Sequence, residues 1–322
     1  MPSFKKTMGV MAGLAAVACA LPAQPKLTIK QSEIYSLAKR QNAAAAALGL
    51  ADVDILQFAL TLEWLETTFY QQGFAKFSDD QFVALGLSAT QLSDLKSIGA
   101  SEASHVGLLQ SSIAQAGVQP VQPCEYNFGF TDAAGMVATA SILESVGISA
   151  YLGAAPLVSD TKILSTAASI LTIEARHQSF VRIASGVAAS PSPFDTPLGP
   201  KAVFSLAAPF IKSCPAGSNL VLTAFPTLTM TTPAPEAGIM ALAQGTMLNF
   251  QSDAASGAKF CGFTNSAAPG GTAFAAFDPA QGCALPPNLA GTVYVTLTSA
   301  AAADGVITDD ITLAGPMVMN LS

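Results

Sequence analysis

Residues 169–185 read SILTIEARHQSFVRIAS, and within them Glu174 and His177 stand three residues apart. A helix of 3.6 residues per turn projects both from one face, the face that also carries Ile170, Leu171 and Val181. An acid and an imidazole therefore point toward a core. The other histidine of the chain repeats the arrangement, as Glu102 and His105 within residues 97–113, SIGASEASHVGLLQSSI. With eight glutamates in 322 residues, chance puts a Glu three before both histidines about once in a thousand. The pair is a signal, although a single Glu-x-x-His is most often an exposed helix pair.

Outward from these two helices, residues 51–74, ADVDILQFALTLEWLETTFYQQGF, predict a first long helix. Asp52 or Asp54 can cap it and Gly73 can end it. Ile55, Ala59, Leu62, Glu66 and Phe69 fall on one stripe, with Leu56, Leu60, Glu63 and Tyr70 beside it. Two glutamates thus sit inside an apolar helix with no Lys or Arg on that face, a costly arrangement unless something compensates the charge. Ser88 and Gln91 form the capping box of a second helix that carries Glu102 and His105 and stops at Gly117. Residues 118–130 hold Pro120, Pro123 and Cys124, too long and stiff for a tight turn, and read as a crossover. A third helix begins near Thr131 or Asp132 and runs to Pro156 with Glu144 as its one interior charge. The fourth, capped by Ser159 or Asp160, runs past Glu174 and His177 to Gly186.

The two helix pairs repeat each other. Glu63 precedes Tyr70 by seven residues and Glu144 precedes Tyr151 by seven. The step from Glu63 to Glu144 is 81 residues, and that from Glu102 to Glu174 is 72. The halves read as duplicates related by a pseudo-twofold axis. Four helices, two giving one Glu and two giving Glu-x-x-His, match the ligand set of di-iron and di-manganese carboxylate bundles. Four carboxylates cancel the four charges of two divalent cations, and oxygen and nitrogen donors without thiolate favour iron or manganese. The candidate metal ligands are Glu63, Glu102, His105, Glu144, Glu174 and His177, with Glu66 as the alternative to Glu63 on the first helix. The Tyr spacing favours Glu63, and Glu66 is read as neighbouring the ligands or facing solvent. Tyr70 and Tyr151 fit either core aromatics or neighbours of the centre, and Arg176 should face away.

After Val187, Pro191, Pro193, Pro197 and Pro200 crowd a stretch that cannot continue a helix. Beyond it come short alternating runs such as TVYVTLT, where Val293, Val295 and Leu297 share one face. These predict a smaller all-β sandwich of about seven strands, immunoglobulin-like in kind. The expected organisation is a bundle over 41–186, a linker over 187–200 and the β region over 201–322.

Half of the chain is apolar, 51%, and only 11% is charged, with a net charge of −7. Its 14 Lys and Arg form no basic tract, so no nucleic-acid partner is expected. Lys5 and Lys6, an apolar run from Met8 to Leu21 and the Ala18-Cys19-Ala20 exit describe a secretory signal peptide over 1–20. Residues 21–40 then read as a pro-segment ending at Lys39-Arg40, a pair that reads equally well as two exposed charges. No membrane attachment is expected once the leader is removed. Cys124, Cys214, Cys261 and Cys283 remain, an even number in an oxidising compartment and none spaced for zinc. Of the three pairings open to them, proximity in sequence favours Cys124–Cys214 and Cys261–Cys283.

The run ALTLEWLETTFYQQGF over 59–74, with EASH and EARH, resembles the ferritin-like superfamily. It is closest in kind to the secreted ferritin-like proteins of fungi related to plant desiccation-related and fungal stress-response proteins. The resemblance covers about 48–186 and, more loosely, FSLAAPFIKSCP. It implies an all-α four-helix bundle with a long crossover between helices two and three, the six ligands named above, and two Fe or Mn ions. The reactants it implies are small molecules: O2, peroxide or Fe(II). Two function classes follow. One is a di-metal oxidoreductase of ferroxidase, oxidase or catalase kind. The other is a non-enzymatic extracellular, wall-associated stress protein whose metal site is structural or vestigial. Either can form an oligomer.

Overall fold

The computed structural model describes residues 49–216, 218, 222–233, 239–265, 268 and 271–322. The signal peptide, the pro-segment, Cys19 and Lys39-Arg40 lie outside the described residues. Four long helices form the first part: α1 (Asp52–Lys76), α3 (Ala89–Gln115), α4 (Ala133–Ala154) and α5 (Thr161–Ala184), with a short α2 (Asp79–Val83) between the first two. The cap of α1 is Ala51, whose amide donates to Asp54 Oδ2 at 2.9 Å. Asp52 does a different job. Its carboxylate accepts from the amides of Ser159 and Asp160, both at 2.8 Å, and so ties the start of α1 to the start of α5. The Ser159 amide is the main reason its pKa is held below the usual carboxylate value. Gly73 does not end α1, which runs on to Lys76. It is a contact point: a Cβ there would overlap the side chain of Met136 on α4.

The remaining helix signals act as local chemistry requires. Ser88 and Gln91 exchange their capping-box bonds, Gln91 N to Ser88 Oγ at 3.2 Å and Ser88 N to Gln91 Oε1 at 2.9 Å. Asp132 Oδ1 caps α4 through Gly135 N at 2.7 Å, and Asp160 Oδ1 caps α5 through Lys162 N at 2.7 Å. Gly117 and Gly186, both at positive φ, follow the last turns of α3 and α5.

The crossover between α3 and α4 runs along α1. Gln57 donates to Gln119 O at 2.7 Å and accepts from Val121 N at 2.8 Å, and Trp64 Nε1 donates to Val121 O at 3.1 Å. Further on, Phe128 and Phe130 pack edge-on against Phe69. A two-residue strand, β1 (Glu125–Tyr126), pairs antiparallel with β2 (Ile211–Ser213), and the Cys124–Cys214 disulfide fastens the same place.

The segment expected to open the β region is helical. α6 (Pro200–Ala207) and a 3-10 turn, Ala208–Phe210, precede β2. Leu198, Val203 and Ala207 belong to the core of the bundle, and Leu198 N donates to Ser149 O on α4 at 3.0 Å. Proline at the first helical position explains this: it breaks an ongoing helix but suits the start of a new one.

Beyond residue 228 the elements among the described residues are strands: β3 (Thr229–Thr232), β4 (Ile239–Met240), β5 (Met247–Gln251), β6 (Phe260–Thr264), β7 (Thr272–Ala276), β8 (Cys283–Ala284), β9 (Gly291–Thr298) and β10 (Thr312–Leu321). Among the described residues they make a five-stranded sheet, β4-β10-β9-β6-β7, and a three-stranded sheet, β3-β5-β8. All pairs are antiparallel except β4 with β10. The sheets share a core in which Val293, Val295, Leu297 and Phe263 meet Met230, Leu248 and Phe250. The Cys261–Cys283 disulfide joins β6 of one sheet to β8 of the other.

The opposite face of β9 is buried too, because it lies on the bundle. Tyr294 belongs to the helical core, and its hydroxyl lies 2.6 Å from Ser149 Oγ while donating to Ser145 O at 2.9 Å. Thr292 Oγ1 lies 2.9 Å from Ser145 Oγ and accepts from Gln178 Nε2 at 3.2 Å. The fully buried Arg182 donates to Ala188 O at 2.7 Å and to Leu321 O at 3.4 Å. Helices α4 and α5 are therefore held from outside by the β region and meet the rest of the bundle with their inner faces.

Candidate metal centre

Inside the bundle the six residues singled out by the repeat come together. Glu63 from α1, Glu102 and His105 from α3, and Glu174 from α5 place one donor atom each within 4.8 Å of one another. Glu144 from α4, with His177 and Glu174 from α5 and Glu102, forms a second such group. Glu102 and Glu174, central on α3 and α5, belong to both. All six side chains are buried, and none of the four carboxylates is more than 1% exposed. Both histidines turn the same nitrogen inward. His105 Nδ1 lies 3.0 Å from Glu102 Oε2, 3.2 Å from Glu63 Oε2 and 3.3 Å from Glu174 Oε1. His177 Nδ1 lies 2.7 Å from Glu102 Oε1 and 3.3 Å from Glu144 Oε2.

Those approaches around His177 are close, yet they are not aligned as hydrogen bonds. His177 Nδ1, Glu102 Oε1, Glu144 Oε2 and both oxygens of Glu174 are buried without a hydrogen-bond partner. Leaving one such atom unsatisfied costs about 1–3 kcal/mol, more when it is charged. Five together are explained by donors whose lone pairs converge on a common position instead of on each other. A cation held by oxygen and imidazole nitrogen fits that set, and the cluster can bind a metal ion.

The family profile described as Ferritin-like domain matches residues 51–187. The helical part of the chain is a ferritin-like domain. A curated relative, protein rds1 of Schizosaccharomyces pombe, is 28% identical over 183 residues, 56% of this chain. The match spans 45% of that protein, so the chain covers under half of the length of its curated relative.

Two tyrosines complete the centre of the ferritin-like domain, and they do so crosswise. Tyr70 OH donates to Glu144 Oε1 at 2.5 Å, and Tyr151 OH donates to Glu63 Oε1 at 2.6 Å. Each tyrosine lies seven residues from the Glu on its own helix, about 10 Å along the axis and out of reach. Each instead meets the Glu of the other half, as a pseudo-twofold axis between α1 and α4 requires. Gly99 makes room for one of them: a Cβ on it would lie 2.8 Å from Tyr70 Cβ. Burial and the adjacent carboxylates keep both phenols protonated, well above the usual tyrosine value.

The acid–base state follows from crowding carboxylates in a dry interior. Burial pushes Glu63 up to about 7, and Glu144 is raised chiefly by burial. Burial and the nearby Glu102 charge take Glu174 well above the ordinary value. Glu102 goes the other way. Burial opposes its charge, but the hydrogen bond with His105 and the close approach of the His177 ring outweigh it and bring it down to about 2. Burial likewise disfavours the imidazolium forms, yet the surrounding carboxylates raise His105 to about 12 and His177 to about 9. In the metal-free protein, protons on the two rings supply positive charge that the site otherwise takes from cations.

Of the two readings of Glu66, it takes the one beside the candidate ligands: it is 4% exposed and its carboxylate lies beside Glu174. Gly147, which carried no signal as a residue, sits directly over both acids. Arg176 is exposed, on the outer side of α5.

Proposed function

We propose that the ferritin-like domain holds two iron or manganese ions and reacts them with dioxygen, peroxide or Fe(II), as a secreted oxidoreductase in stress protection. The observation that carries this is the set of buried, convergent donor atoms without hydrogen-bond partners. Bound there, redox-active metal supplies electron storage and polarisation of an O–O bond. The chain's own residues do the rest. Glu102 and Glu174 serve both positions, and Glu63 and Glu144 serve one each. Tyr151 and Tyr70 fix the outer oxygens of those last two and keep a proton on each phenol. The apolar helices exclude bulk water, which strengthens every charge interaction inside.

A cavity of about 680 Å³ between α1, α3, α4 and α5 supports a small, weakly polar reactant. Leu56, Leu62, Leu109 and Ile163 line it, and it reaches Tyr151, whose hydroxyl is bonded to Glu63. Secretion is supported by the two disulfides and by the charged and apolar pattern of residues 1–20.

Elemental analysis of the protein from a eukaryotic secretory host, purified without chelator, tests the reading. About two Fe or Mn per chain are expected, lost in Glu174→Ala/His177→Ala, together with consumption of peroxide or dioxygen or oxidation of Fe(II). Metal without turnover would make the site structural, and no metal after reconstitution would overturn the proposal.

A further inference from the structure

The repeat that aligns Glu63 with Glu144 and Tyr70 with Tyr151 at a step of 81 residues also aligns Glu66 with Gly147. At this inward-facing position the two halves part company. One carries a carboxylate and the other carries no side chain. The structure shows that the two are one feature: a Cβ built on Gly147 would lie 3.0 Å from Glu66 Oε1 and 2.9 Å from Glu174 Oε2. Glu66 occupies space that any side chain at 147 would claim. Its main charged neighbours are the carboxylates of Glu174, Glu102, Glu63 and Glu144, all of like sign. A fifth buried acid in such company is destabilising unless cations accompany it.

Its location is specific. Glu174 Oε1 is the oxygen that approaches His105 Nδ1, at 3.3 Å. Glu66 lies by Oε2, the other oxygen, over the turn of α4 that carries Glu144. Glu66 shares α1 with Glu63, and its carboxylate reaches across to α4, where it meets Gly147, one turn beyond Glu144. Resting on the di-metal reading, we infer that Glu66 is a fifth carboxylate of the centre. It serves the Glu144–His177 position, through the room left by Gly147, and makes that position the tighter of two unequal cation sites.

Titration of the metal-free chain with Mn(II), following free Mn(II) by electron paramagnetic resonance, tests this without any turnover assay. Wild type should bind two ions in two unequal steps. Glu66→Gln, which keeps the shape and removes the charge, should weaken the tighter step about tenfold or more and bring the steps together. Glu66→Asp, which withdraws the charge by one methylene, should weaken the same step less. In a His105→Ala background the Glu66→Gln effect should persist on the remaining ion. In a His177→Ala background it should nearly vanish. Unchanged steps in Glu66→Gln, or equal losses in both backgrounds, would overturn the assignment while leaving the di-metal reading intact. A wild type that binds no Mn(II) would overturn both. Removing a buried like charge should leave the metal-free melting temperature equal or higher, so a folding defect would be visible as its fall.

Discussion

Metal uptake by this centre should be driven by pH, because the cations must displace protons held on the two histidines. The carboxylates around them raise His105 to about 12 and His177 to about 9, so at pH 7 both rings of the metal-free protein are protonated. A ring coordinated through Nδ1 gives up the proton on that nitrogen. Filling the centre should therefore release at least two protons per chain between pH 7 and 8. The overall binding constant should then rise about a hundredfold per pH unit, or about 2.7 kcal/mol, since each proton contributes 1.36 kcal/mol per unit. Above pH 9, once His177 has lost its proton, the slope should fall by about one. Calorimetric titration with Mn(II) in two buffers of different ionisation enthalpy counts the protons directly. His177→Gln should release about one fewer than wild type. Fewer than one proton released by wild type at pH 7 would refute the charge balance drawn here, in which imidazolium stands in for metal.

The same protons set the stability of the metal-free protein. Folding raises Glu63 from the ordinary carboxylate range to about 7 and raises both histidines, so the folded chain binds more protons than the unfolded one. Stability must then fall as pH climbs from about 4.5 through 9, and thermal melts of metal-free protein that improve over this range would contradict it. Ala167→Phe, which fills the cavity ahead of Tyr151, should leave metal content unchanged and slow the reaction with peroxide or dioxygen about tenfold, equivalent to about 1.4 kcal/mol of barrier; an unchanged rate would rule out this route. Tyr294→Phe removes two buried hydrogen bonds between β9 and α4 and should cost about 1–3 kcal/mol in denaturant titrations. Amino-terminal sequencing of protein recovered from culture medium should start after Ala20 or after Arg40, and full-length protein found only inside cells would remove the secretion proposal.

The centre was readable because its chemistry is written in local spacing. Two Glu-x-x-His pairs on helices fix their own relative orientation, and the Glu–Tyr step of seven residues marks the partner helices without knowledge of packing. The crosswise pairing of Tyr70 with Glu144 follows from the same numbers once two turns of helix are converted to distance. Glu66 shows where residue type runs out. Its place on the apolar stripe of α1 left it either beside the candidate ligands or facing solvent, and the close approach of Gly147 and Glu174 shows that it is inside. Gly73 is a second case: as punctuation it ends a helix, as a contact it admits Met136, and the sequence does not distinguish the two. Helix α6 was hidden by prolines whose effect reverses with position, since Pro200 stands at the first turn, where its missing N–H costs nothing.

Helix α4 joins these observations. It is long and apolar enough to cross a membrane by composition, and most of it is buried within the protein. A helix of a soluble bundle ordinarily keeps one polar face for solvent. This one has none to keep, because Glu144, Gly147 and Tyr151 face the centre while Ser141, Ser145 and Ser149, spaced by one turn each, face β9 and β10. Small hydroxyl residues let the sheet approach closely and satisfy their hydrogen bonds across the contact, which large apolar side chains there would prevent. Among the described residues no sheet lies over Leu108 at the outer surface of α3, which is 42% exposed. The pseudo-twofold axis is thus broken twice, inside at Glu66 and Gly147, outside by the β region. Both breaks favour the Glu144–His177 position, one by adding charge and the other by holding the two helices that carry it.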